Sequence, residues 1–217
     1  MKTKRAICLF LLFVSISFQG CSIKHRVGDD YEQYLLKNQG SSTLPKTKLE
    51  ADYIVEKNTQ THRYEFRAFT GGYANLWIVE FGKILDKTLQ SSDVQESFGR
   101  LTKMLASDTN AGNLVTFKLI TYKFIDYCAY VTLNISIKNG EGVVILDQTY
   151  LAQGKRQQKK IALGGVFLMK DAIRQSTKHA TDKIVSYFIN DINLQALHGE
   201  KTWNDYHPKG NIDINKP

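Results

Sequence analysis

Hydrophobic positions change their spacing several times along the chain, and each change marks a predicted boundary. From Ala6 to Phe18 they run together, interrupted only by Ser15 and Ser17. Between Ser22 and about Glu50 they thin out among polar residues, with Gly40-Ser41-Ser42 and Pro45 as punctuation, which predicts a tether. Within it, Tyr31, Tyr34, Leu35 and Leu36 have the spacing of a short helix. Asp52 to Lys57 and Arg63 to Phe69 are predicted strands, the second setting Tyr64, Phe66 and Ala68 against Glu65, Arg67 and Phe69. After the break at Thr70-Gly71-Gly72, the positions Trp77, Phe81, Ile84, Leu85, Thr88 and Leu89 recur every three or four residues. They predict a helix from about Ala74 to Leu89. Gly82 inside it costs about 1 kcal/mol relative to Ala and points to close packing on a sheet. Val94 to Met104, anchored by Phe98 and Leu101, has no clear period.

Three strand-like runs follow, Leu114 to Ile125, Ala129 to Lys138 and Val143 to Leu151. In the middle one Val131, Leu133, Ile135 and Ile137 alternate with Thr132, Asn134, Ser136 and Lys138, the pattern of a half-buried strand. Asn139-Gly140-Glu141-Gly142 reads as a hairpin turn, so the three should form a meander. From Phe167 to Asn193 an apolar stripe through Met169, Ile173, Ala180, Ile184 and Ile192 predicts a helix of six or seven turns. The predicted fold is α+β, a two-layer sandwich in which a mixed, mostly antiparallel sheet carries two long helices on one face. The predicted organisation is a signal peptide over 1–20, a lipidated tether over 21–50, the α+β domain over 51–196 and a polar tail over 197–217.

The leading run explains the first boundary. Lys2, Lys4 and Arg5 precede thirteen largely apolar residues, the layout of a secretory signal. Spanning a hydrocarbon core as a helix takes about 20 residues, so a permanent transmembrane anchor is not expected. The run ends in Phe18-Gln19-Gly20-Cys21, which resembles the lipobox of bacterial lipoproteins. That resemblance implies cleavage after Gly20 and acylation of Cys21, which becomes the new N-terminus. It implies further that Ser22, in place of Asp, directs the product to the outer membrane of a Gram-negative cell, facing the periplasm. Two or more acyl chains hold a protein stably where a single chain holds it marginally.

Charge and cysteine usage fit that address. The net charge of +8 rests on 29 basic and 21 acidic residues, and losing Lys2, Lys4 and Arg5 leaves 26 against 21, a net +5. An exported protein meets little nucleic acid, so the acidic partners expected are lipid headgroups or an acidic protein face. Lys155, Arg156, Lys159 and Lys160 cluster after the meander, either as a solvated loop or as a contact for anionic headgroups. Cys8 leaves with the leader and Cys21 takes lipid, so Cys128 remains alone in a strand-like run, where a buried inert thiol is expected.

Catalytic and metal chemistry find little support. His25, His62, His179, His198 and His207 are scattered, with no HExxH or CxxC, and His179 with Asp182 has the spacing of a helix-surface pair. There is no G-x-S-x-G, and Asp29-Asp30 lie in the predicted tether. Gly71-Gly72 and Gly164-Gly165 each precede a predicted helix, whose N-terminus attracts phosphate. Neither has a phosphate-loop pattern, and a tight strand-to-helix turn accounts for both. Neither a cofactor, a metal nor an enzymatic activity is expected.

The lipobox, the Tyr73-Ala74-Asn75-Leu76 entry to the first predicted helix, the Asn139-Gly140 turn and the helix after Gly164-Gly165 resemble small envelope lipoproteins. In layout, about residues 50 to 194 are similar to the YajG-type lipoproteins and the auxiliary lipoproteins of ABC-type transport systems. The resemblance implies a non-enzymatic periplasmic domain on a lipid anchor, akin in architecture to the N-terminal domain of TolB-like proteins, working beside an envelope protein partner or transport complex. A lipid- or glycan-binding carrier with a cavity between helices and sheet is the alternative.

Overall fold

The computed structural model describes residues 22–68, 74–104 and 112–198, apart from the side chains of Lys160, Val166, Leu197 and His198. The predicted leader with Gly20, the predicted lipidation site Cys21, the Gly71-Gly72 doublet and the tail from residue 199 onward lie outside the described residues. In chain order the elements are β1 (Ile23–Arg26), α1 (Tyr31–Lys37), β2 (Glu50–Val55), α2 (Lys57–Gln60), β3 (Tyr64–Phe66), β4 (Asn75–Val79), α3 (Phe81–Leu89), α4 (Ser92–Gln95), β5 (Arg100–Lys103), β6 (Asn113–Ile125), β7 (Cys128–Lys138), β8 (Val144–Gln153) and α5 (Gln158–His198).

The fold is α+β. A five-stranded sheet runs in the order β5-β2-β6-β7-β8, and a three-stranded sheet in the order β1-β4-β3. β6, β7 and β8 form the expected antiparallel meander, whereas β2 lies parallel to both β5 and β6. In β7 the alternating residues Ala129, Val131, Leu133, Ile135 and Ile137 are buried, and α5 covers that face with Met169, Ala172, Ile173, Ile184 and Phe188. Phe188 packs its ring against Phe98, Phe117 and Tyr150. The other face is partly wet, as the exposed Lys118, Ile120, Lys123 and Ile125 of β6 show.

Four expectations need correction. The helix expected from Ala74 to Leu89 is a strand followed by the nine-residue α3, so one long helix, α5, covers the sheet and not two. Trp77, Ile78 and Val79 are buried in succession, and a short continuous apolar run fits either a buried strand or a helix. The segment expected to be a tether is folded from Ile23 onward. β1 pairs with β4, the short helix expected around Tyr31 to Leu36 is α1, and Val27, Tyr31 and Leu35 join the core. Gly82 lies close to α2 and not to a sheet: a Cβ there would fall 2.3 Å from the Thr59 carbonyl oxygen. Finally, Gly164-Gly165 precedes the long helical stretch as expected but separates it from another helical stretch and not from a strand, with Gly165 at φ 52°, ψ −132°, a conformation that glycine alone adopts readily.

The turns also differ from the Asn-Gly expectation. Between β7 and β8 it is Gly142 that takes positive φ, while the Asn139 side-chain oxygen accepts from the Glu141 and Val143 amides at 3.0 and 2.9 Å. The two-residue hairpin lies between β6 and β7, where Asp126 and Tyr127 both take positive φ without a glycine.

Candidate functional site

One end of the molecule gathers the first described residues and the basic cluster. Ile23 opens β1, and its amide donates to the Ala74 carbonyl at 2.8 Å at the start of β4. Beside it the Arg67 guanidinium donates to the Ser22 hydroxyl at 3.2 Å. His25 stacks on Trp77 with ring centres 4.3 Å apart, and its Nε2 lies 2.7 Å from the Asn75 side-chain oxygen. The three-stranded sheet thus points its Ser22 edge the same way as Phe66, whose ring packs on Phe124 just before the β6–β7 hairpin. That hairpin in turn holds the start of α5, because the Tyr127 carbonyl accepts from the Gln157 amide at 2.9 Å.

The cations predicted from sequence sit at this same end. Lys155, Arg156 and Lys159 are all exposed around the entry to α5, and the backbone of Lys160 continues that helix. No Asp or Glu occurs between Asp147 and Asp171, so their field is uncompensated along the chain. Sequence reasoning missed what lies beside them. Ile161 turns inward, but Leu163 is 89% and Phe167 93% exposed, on either side of the Gly165 break. The only sequence sign of this was an apolar run that includes more positions than one helix face can bury.

A second cluster fixes the N-terminal segment to α5. The buried Arg174 guanidinium donates to the Val27 carbonyl at 3.1 Å and to the Asp29 carbonyl, and it lies 5.9 Å from the centre of the Tyr34 ring. Burial, with Asp171 nearby, pushes the Tyr34 hydroxyl up to about 12. Lys170 reaches Asp30 at 3.3 Å, so of the Asp29-Asp30 pair one supplies its backbone and the other its carboxylate to α5. One turn further, Lys178 bonds Asp182 at 2.8 Å, Asp93 at 3.5 Å and the Ser42 hydroxyl. The Lys178 and Asp93 side chains are each only 7% exposed. Asp182 therefore bonds Lys178 and Ser42, while its charge also acts on the neighbouring His179. A groove of about 220 Å³ opens beside Asp93, lined by Leu35, Leu36, Lys87 and Gln90 among others.

Cys128 is fully buried. Its thiol donates to the Gly154 carbonyl at 3.0 Å, next to the Ser176 hydroxyl, which accepts from the Ala129 amide. Such a thiol has the surroundings of a small core residue. Among the described residues no three His, Cys, Asp or Glu side chains come together as a metal-binding group, and no helix is long and apolar enough to cross a membrane.

No family model matches the chain, and no curated protein does. Three solved structures show a distant likeness. An uncharacterized protein is 10% identical and matches over 77% of this chain and 99% of its own, with a TM-score of 0.38. A hypothetical protein from Chlamydia trachomatis is 11% identical over 66% and 97%, with a TM-score of 0.35. A PelC dodecamer from Paraburkholderia phytofirmans is 14% identical over 64% and 95%, with a TM-score of 0.29. Likenesses this distant say nothing about activity.

Proposed function

We propose that this chain is a periplasmic lipoprotein, anchored in the outer membrane through acylated Cys21, whose folded body is a non-catalytic accessory of an envelope assembly or transport system. The observation that carries the proposal is the leader itself, a basic start and a thirteen-residue apolar run that ends in Phe18-Gln19-Gly20-Cys21. The fold supports it by starting two residues after the cysteine, so an acyl group there would hold the body directly and not on a long leash.

Anchoring raises the effective concentration of the body near a membrane partner, so modest contact affinities suffice for assembly. The layer where a carrier would need its cavity, between α5 and the sheet, is occupied by Met169, Ile173, Ile184 and Phe188. Affinity capture from crosslinked membranes tests the accessory role. A defined envelope complex is expected with the wild type and loss of it with Cys21→Ser; capture of no complex after crosslinking would contradict the proposal.

A further inference from the structure

We infer that the α5 entry is a membrane-docking edge, in which Leu163 and Phe167 enter the headgroup layer of an anionic phospholipid surface while Lys155, Arg156 and Lys159 lie on the headgroups. The inference rests on the lipoprotein reading for the body's orientation, and adds a second membrane contact to it. Three independent observations converge. First, two large apolar side chains are almost wholly exposed within one short stretch, an arrangement that water disfavours and an interface accepts. Second, the cations around them have no acidic residue in the same stretch of chain, and anionic lipid attracts each such charge near its surface.

The third observation is position. Ser22 bonds Arg67, Phe66 packs on Phe124, and the hairpin that follows Phe124 holds Gln157. These links put the point where the chain emerges from Cys21 and the α5 entry at one end of the body. A lipid on Cys21 therefore brings the patch to the surface whose chemistry it fits. The break at Gly165 lets the first turns of α5 take a direction different from the rest, which stays packed on the sheet through Met169 and Ile173.

The test uses the processed, acylated protein in vesicles of phosphatidylcholine with or without phosphatidylglycerol. An environment-sensitive dye is placed at Phe167→Cys, since Cys128 is buried and Cys21 carries lipid. With phosphatidylglycerol the dye should turn blue-shifted and be quenched by lipids spin-labelled near the headgroup. Combined Lys155→Gln, Arg156→Gln and Lys159→Gln should reverse both changes. For processed but non-acylated chain added to the same vesicles, that triple change should lower partition on the order of 100-fold. A dye that stays in water in both vesicles would overturn the inference. So would shielding that grows with protein concentration and ignores lipid charge, which would mean a second copy or a protein partner covers the patch. Mass spectrometry of the sample separates the two readings: an unmodified Cys21 refutes the anchor, while the dye and the partition judge the docking edge.

Discussion

At Gly82 a single hydrogen atom decides whether two helices fit together. Replacing a helical glycine by alanine ordinarily stabilises by about 1 kcal/mol. Here the added methyl would meet the Thr59 carbonyl and the Gln60 backbone, which cannot move aside without shifting α2. Gly82→Ala should therefore destabilise by about 2 kcal/mol, measured by urea unfolding. Cys128 should resist thiol reagents in the native protein and react only on unfolding, because its side chain is sealed beneath Gly154 and Ser176. Rapid labelling of native protein at Cys128 would contradict this. Burial also lowers the proton affinity of His62, which packs edge-on to Tyr122. The unfolded chain then takes up a proton, near about pH 6.5, before the native one does, so stability should fall as pH drops through that value and below. His62→Gln should flatten part of this acid loss between about pH 7.5 and about pH 5.5, read from thermal melts across that range. His179, shifted the same way by burial first and by Lys183 next, accounts for some of the remainder.

At the scale of elements, α5 is the organiser. Its Arg174 and Lys178 tie the turn after β1 and the Ser42 stretch to it, beside the apolar anchors Val27, Tyr31 and Leu35. Removing one member of a buried ion pair leaves the other uncompensated, so Lys178→Met should cost about 3 kcal/mol. Adding Asp182→Leu and Asp93→Leu to it should restore much of that loss, which urea melts of the single and triple variants will show. Arg174→Met should instead speed amide exchange across Ile23 to Lys37 while leaving the β6–β7–β8 meander protected. The meander was legible in the sequence because half-buried strands alternate, as Val131 to Lys138 do. β4 was not, because Trp77, Ile78 and Val79 are all buried and their period is lost. Arg174 could not be singled out either, since its value lies in backbone carbonyls about 145 residues away in the chain.

For the whole molecule, the corrected N-terminus changes the mechanical picture. A coil of about 28 residues would have let the body roam roughly 30 Å from its anchor. With the proposed anchor at Cys21, a body whose first strand starts at Ile23 would be held at a distance of two residues, each spanning about 3.5 Å. The basic cluster was visible in sequence, but its place beside the emerging N-terminus required the topology that joins β1, β4, β3 and the β6–β7 hairpin. The proposed function rests on one covalent bond, the acylation proposed at Cys21. Metabolic labelling with radioactive palmitate tests that bond most directly. Label in the wild-type product and none in Cys21→Ser is the result predicted; an unlabelled wild type, or equal label in both, would contradict the account.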